Sequence, residues 1–321
     1  MTDKILFPKL GLEFTVKADA FSIFGFAVQW YGIIIAFGLL LAITYCFRRT
    51  NEFGVDGDRA FDAVFMGVIG GIIGARLYFV MMSWDLFKDD LYAIFDIKGG
   101  GLAIYGGIIG AVLFGGITCK IRKQKFLPLL DLAGMGFLIG QSVGRWGNFV
   151  NREAYGRNTS LPWGMTSNKI SGELYIKANE IYADTGVLVD PTLPVHPCFL
   201  YESLWCALGF LLLHLYAKHR KFDGEVFLMY IGWYGLGRMF IEGLRTDSLM
   251  VGSLRVSQVL AGLCFLAAVT IIAFMRRKVK VDGYTFFKDT EEFAALIRET
   301  KEKEQLRQEK AKAKKNSLKK P

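Results

Sequence analysis

Residues 144–157 hold two amides (Asn148 and Asn151), one carboxylate (Glu153) and three arginines (Arg145, Arg152 and Arg157). They follow directly on the apolar stretch 126–146, and glycines at 144, 147 and 156 give their backbone unusual freedom. The segment is too polar for a membrane span and too aromatic for a linker. Arginine presents a planar fork of donors that suits phosphate. The chemistry on offer is therefore the binding of an anion and the stabilisation of developing negative charge. Further candidates lie far away in sequence: Tyr31, Arg76 and Tyr105 before the segment, and Glu202, Arg238 and Glu242 after it.

Long apolar elements must position these groups. Apolar residues make up 52% of the 321 and aromatics 14%, and the mean hydropathy is +0.31, which points to a membrane protein. A bilayer core needs roughly 20 apolar residues per helix. Seven stretches qualify or nearly do: 26–47, 60–82, 101–119, 126–146, 199–217, 226–241 and 256–275. The third, rich in glycine, and the sixth, short, are the weakest. The fold expected is all-α and polytopic, with about seven transmembrane helices. Short basic clusters follow the first, third, fifth and seventh spans (Arg48 and Arg49; Lys120 to Lys125; Lys218 to Lys221; Arg276 to Lys278). By the positive-inside rule the N-terminus is outside and the C-terminus cytoplasmic. Residues 1–278 then form a transmembrane catalytic domain, 149–198 an external loop or cap, and 279–321 a charged cytoplasmic tail.

With that orientation Tyr31, Arg76, Tyr105, Arg145, Asn148, Tyr201, Glu202, Arg238 and Glu242 all fall toward the outer ends of their spans. An intramembrane charge costs about 3 kcal/mol at a helix centre. Arginines and glutamates at helix ends can snorkel or pair with one another. Three arginines at one depth (Arg76, Arg145 and Arg238) outnumber the two glutamates that could neutralise them. They imply a polar chamber in the outer leaflet that takes an anionic phospholipid. Asp62 and Asp131, near helix starts on the inner side, read as helix caps.

Other classes fit less well. Of the net charge of +9, the segment from Arg276 onward supplies +7 (15 Lys/Arg against 8 Asp/Glu). Hence no basic stripe for nucleic acid exists in the body of the chain, and the tail reads as solvated or as lying on anionic headgroups. The five cysteines lack a C-x-x-C and read as core residues, with no metal site and no cofactor expected. No cleaved signal peptide is expected. The pairs Gly67/Gly71, Gly70/Gly74, Gly106/Gly110, Gly136/Gly140 and Gly140/Gly144 are close-packing motifs. Gly140-Gln141-Ser142-Val143-Gly144 matches the serine-hydrolase elbow but lies in an apolar helical stretch, not on a strand-to-helix turn. A transporter would need a polar route through both leaflets, and a mere scaffold would have no need of Arg145. His196, followed by Pro197, reads as part of a structural turn.

The segment reads G-R-W-G-N-F-V-N-R-E-A-Y-G from Gly144 to Gly156. It resembles the signature G-R-x-G-N-F-x-N-x-E-x-x-G of the bacterial prolipoprotein diacylglyceryl transferases at every fixed position. Supporting matches are Trp30-Tyr31-Gly32, Gly74-Ala75-Arg76, Gly100-Gly101-Leu102, His196-Pro197, Leu200-Tyr201-Glu202, Tyr234-Gly235, Arg238, Glu242 and Arg245. The resemblance implies transfer of the diacylglyceryl group of phosphatidylglycerol to the lipobox cysteine of a preprolipoprotein, in the bacterial cell membrane, without a cofactor. It implies that Arg145 and Arg238 are essential and that Tyr31, Asn148, Glu153, Gly156 and Glu242 fall on needed positions, with Asn151 expected to help bind the substrate. Arg76 and Glu202 are expected to help hold the lipid, Glu153 and Glu242 to orient the arginines, and Asn148 to orient the headgroup. Where many relatives have His before the two glycines of the third span, this chain has Tyr105. Tyr105 is then expected to donate a hydrogen bond or relay a proton.

Overall fold

The computed structural model describes residues 2–23, 26–96, 100–246, 248, 250–252 and 254–317. Gly99 and the last four residues of the tail lie outside the described residues. The chain divides into two compact units, Met1–Arg48 with Asp131–Tyr284, and Arg49–Leu130 with Thr285–Pro321.

The chain is mainly helical, but its amino-terminal residues and its long inter-span segment depart from the all-α expectation. Strand β1 (Thr2–Phe7) turns at Pro8 and Gly11 (φ 65°) and pairs antiparallel with β2 (Leu12–Lys17). Its other edge pairs with β5 (Thr166–Ser167), so β1 is the middle strand of three. Helix α6 (Asn168–Thr185) starts where the Ser167 hydroxyl accepts from Ile170 N and stops at Gly186 in the left-handed region. Ile5 and Phe7 on alternate positions of β1 meet Tyr155, Met165, Ile170, Leu174, Ile181, Val195 and Phe199 in one core. Residues 149–198 thus share their core with the amino-terminal hairpin. A second hairpin, β3 (Asp19–Ile23) with β4 (Phe26–Gln29), leads into the first long helix, and a third, β6 (Met250–Val251) with β7 (Leu254–Arg255), precedes the last apolar one.

The long helices of this unit are α1 (Trp30–Arg48), α5 (Phe126–Asn151, counted from Asp131), α7 (Cys198–Tyr216), α8 (Glu225–Glu242) and α9 (Val256–Asp282). Glycines on α5 let α1 approach. A Cβ on Gly136 would meet Cys46 Sγ, one on Gly144 would meet Ile35, and one on Gly147 would meet the Tyr31 ring. Helices α7 and α8 are clasped by two tryptophans: Trp205 Nε1 donates to Trp233 O and Trp233 Nε1 to Trp205 O, both at 2.9 Å. Their rings stack at 4.2 Å and sit on Gly209 and Gly237, where any side chain would collide with them. Asp131 caps a helix, though not its own as expected. Its carboxylate reaches across from α5 to accept from Gly224 N and Phe227 N, both 2.8 Å, at the start of α8.

In the second unit the short α2 (Thr50–Phe53) precedes α3 (Gly57–Met82), which packs on α4 (Ile104–Ile121). Gly70 and Gly74 meet Gly106 and Gly110 backbone to backbone, as their spacing predicts. Asp62 is no cap; it pairs with Arg122 at 2.7 Å. The tail is not simply solvated. After a short turn it forms α10 (Glu291–Ser317), and Phe287, Phe293 and Leu296 are buried in a small core. Glu299 meets the buried Arg59 at 2.8 Å, and Glu292 meets Lys125 at 3.5 Å.

Six helices among the described residues are long and apolar enough to cross a membrane. The sixth stretch of the sequence forms α8, with the length of a span (18 residues) but with Glu225, Arg238 and Glu242 in it. The protein is a multi-pass membrane protein.

Two outcomes follow for thermal unfolding of the purified protein. Gly74→Ala should lower Tm, because a Cβ there collides with the Gly106 carbonyl, whereas Gly107→Ala, with its nearest neighbours at 3.6 Å, should leave Tm unchanged. Truncation after Tyr284 should also lower Tm, since Arg59 then keeps, among the described residues, only Asp56 (3.8 Å) as a carboxylate partner.

Candidate active site

On α8 the i, i+4 spacing puts Tyr230, Tyr234, Arg238 and Glu242 along one face. On α5 Gln141, Arg145 and Asn148 likewise share a face. The two faces meet α7 around one residue, Glu202, which is 4% exposed. Its carboxylate receives Arg145 Nη2 from α5, Arg238 Nη1 from α8 at 3.3 and 3.4 Å, and Arg245 Nη1 at 3.3 Å from the turn after α8. Arg238 Nη2 also meets Glu242 Oε2 at 2.7 Å. Three guanidinium groups thus converge on two carboxylates in a mostly buried network. Nε and Nη1 of Arg145 have no acceptor among the described residues.

Polar staples below this network fix its register. Ser142 and Ser203 exchange hydrogen bonds between α5 and α7: Ser142 Oγ donates to Ser203 O (3.0 Å) and Ser203 Oγ to Ser142 O (2.8 Å). Trp146 Nε1 donates to Ser203 Oγ at 3.2 Å, and Gln141 Nε2 to the Tyr230 hydroxyl at 3.1 Å. Ser142 is therefore a helix staple inside α5, and the hydrolase elbow is absent there.

Beyond Arg145 the chain leaves α5 through Arg152 and Ala154 at positive φ (52° and 56°). Glu153 sits between them and faces back: its Oε1 accepts from Asn148 Nδ2 (2.9 Å) and Asn151 Nδ2 (3.3 Å). The expectation that Glu153 orients the arginines is not met, because its carboxylate is held by amides; Glu202 and Glu242 hold the guanidinium groups. Gly156 then bridges to Arg245, with Gly156 N on His196 O (2.9 Å) and Arg157 N on Leu244 O (2.8 Å). A side chain at 156 would strike Cys198 Sγ, Leu244 O and His196 Cβ. That crowding accounts for the glycine.

Tyr31 opens α1 with its ring against Gly147. His196 lies 3.1 Å from the Tyr201 hydroxyl, which accepts from Trp163 Nε1 at 2.7 Å. Burial, with a contribution from Arg157, holds the His196 pKa below its ordinary value. The backbone of His196 anchors Gly156 and Arg157, which agrees with its reading as a turn residue.

Arg76 and Tyr105 belong to the second unit. All five N–H donors of Arg76 go to main-chain carbonyls: Nε to Ile94, Nη1 to Gly100 and Gly101, and Nη2 to Ala93 and Asp96, at 2.6–3.2 Å. Arg76, expected to help hold the lipid, here has its donors on the loop between α3 and α4. Tyr105, second residue of α4, is 40% exposed. The sequence reading placed Arg245 only among supporting matches and missed Arg255, whose guanidinium supports the turn after α8.

The fold and this network define a multi-pass membrane protein with a buried, arginine-rich centre built on one glutamate. Residues 18–274 match the model of the prolipoprotein diacylglyceryl transferase family. The chain is similar to the phosphatidylglycerol–prolipoprotein diacylglyceryl transferases of Clostridioides difficile (38% identical; 81% of this chain, 96% of the relative) and Finegoldia magna (40%; 82% and 98%). It is also similar to the enzyme of that name in Listeria welshimeri (40%; 80% and 89%). The chain belongs to the prolipoprotein diacylglyceryl transferase family.

Glu202→Gln should destabilise the protein by about 3 kcal/mol or more, because three arginines lose their common partner inside the protein. Thermal or denaturant unfolding of the two purified forms reads this.

Proposed function

We propose that this chain transfers the diacylglyceryl group of phosphatidylglycerol to the cysteine thiol in the lipobox of a preprolipoprotein, the first step of bacterial lipoprotein maturation. The observation that carries the reading is the convergence of Arg145 and Arg238 on the buried Glu202, with donors of Arg145 that no acceptor among the described residues takes, in a chain of this family. An anionic lipid headgroup is the ligand that such open guanidinium donors favour.

The reaction balances without a cofactor. The cysteine sulfur loses its proton and attacks the glyceryl carbon that bears the phosphate. A C–S bond forms, the C–O bond breaks, and the electron pair leaves on the oxygen of glycerol phosphate. Negative charge grows on that leaving group, and Arg145 and Arg238 stabilise it from positions fixed beforehand by Glu202 and Glu242. Asn148, Asn151 and Glu153 form a linked polar patch for the headgroup, Tyr31 lines it beside Gly147, and Gly156 lets the backbone there lie against Arg245. A free thiol has a pKa of about 8.5, and the neighbouring guanidinium groups favour its thiolate. Tyr105 donates a hydrogen bond to the sulfur or relays its proton. The site opens toward the outer leaflet of the bacterial cytoplasmic membrane. The N-terminus is outside, α8 is a seventh span, and the tail is cytoplasmic.

Purified protein given phosphatidylglycerol and a lipobox peptide should form the thioether. Arg145→Ala and Arg238→Ala should each lower turnover about a hundredfold or more. Undiminished product from both variants would sink this reading.

A further inference from the structure

The last helix of the first unit begins against its own dipole. Arg255 is the residue that caps the start of α9, and its side chain makes no cap hydrogen bond there. A cation at a helix N-terminus is the unfavoured choice, and a local rule broken in this way marks a residue selected for another contact. That contact is the turn after α8. A single nitrogen, Arg255 Nη1, donates to Glu242 O at 2.7 Å, to Arg245 O at 2.6 Å and to Ser248 Oγ at 2.8 Å. The helix that gains is therefore α8, whose C-terminal carbonyl at Glu242 receives positive charge where the dipole favours it.

Residues 242–245 carry two members of the buried network. Glu242 holds Arg238, Arg245 reaches Glu202, and the backbone between them receives Arg157 N and bridges to Gly156. Near the network the turn is tied within itself by Leu244 N to Ile241 O and Arg245 N to Glu242 O, at 3.0 and 3.2 Å. Arg255 is the side chain that gathers both of its flanking carbonyls.

We infer that Arg255 is a positioning residue for the diacylglyceryl transfer: it fixes the turn from which Glu242 and Arg245 project, and so sets the geometry of Arg238 and Glu202 without touching the lipid. The inference rests on the reading of the Glu202 network as the reacting centre. Because one nitrogen makes all three contacts, the ammonium of a lysine, with three donors, can replace it.

The test uses the full-length purified enzyme with phosphatidylglycerol and a lipobox peptide. Arg255→Met should lower kcat about tenfold, and Arg255→Lys should stay within about threefold of wild type. A residue that acts through Arg245 is coupled to it, so adding Arg255→Met to Arg245→Met should cost less than about a further twofold. Equal losses in both backgrounds, wild-type kcat in Arg255→Met, or a lysine variant as impaired as the methionine one would each overturn the role. If Arg255→Met does not fold, Ser248→Ala carries the same cycle. It should lower kcat about two- to threefold alone and have no effect beside Arg245→Met, and additive losses would overturn the inference. Full activity of Arg238→Ala would overturn the site reading itself, whereas an inactive Arg238→Ala beside a fully active Arg255→Met would overturn only the role of Arg255.

Discussion

One carboxylate organises the first unit. Glu202 is buried and meets Arg145, Arg238 and Arg245, which arrive from α5, from α8 and from the turn beyond it. Like charges so close repel strongly where the dielectric is low, and removing one partner from a buried ion pair is costly. The helices must therefore keep a register that delivers all three arginines to the same atoms. The Ser142–Ser203 exchange, the Trp205–Trp233 clasp and the Asp131 cap on α8 serve that register. Each satisfies polar groups that would otherwise be stranded among apolar helices.

The small core of β1, β5, α6 and Tyr155 has a related effect. It gives the chain a firm support immediately beyond α5, so that the positive-φ turn at Arg152 and Ala154 can hold Glu153 against Asn148 and Asn151. Gly156 then bridges to the turn at Leu244 and Arg245. The polar segment is thus closed at both ends, by the arginine network and by this bridge. In the second unit, the same economy of donors appears in Arg76, which fixes a loop by saturating its guanidinium with carbonyls. The tail helix adds Glu299 beside Arg59, beyond the part of the chain that matches the family.

Residue types and helical spacing determined much of this in advance. Apolar length gave the membrane class, i, i+4 spacing put Arg238 and Glu242 on one face, and small-xxx-small pairs located the close crossing of α3 and α4. The signature around Arg145 marked the family. These features are legible because each depends on one segment and its own period. The strands at the amino terminus were not read, since Ile5 and Phe7 alternate over too short a run to announce a sheet whose third strand is Thr166–Ser167. Which partner a charge takes was also beyond the sequence. Asp131 caps α8 instead of its own helix, Glu153 binds amides instead of arginines, Arg76 is spent on carbonyls, and Arg255 serves the helix before it. A charge pairs with whatever the fold brings within about 3 Å, and that depends on how separate helices pack. The sequence by itself determined the membrane helices and the family's arginines. Only the tertiary structure decided that one glutamate would hold three of them.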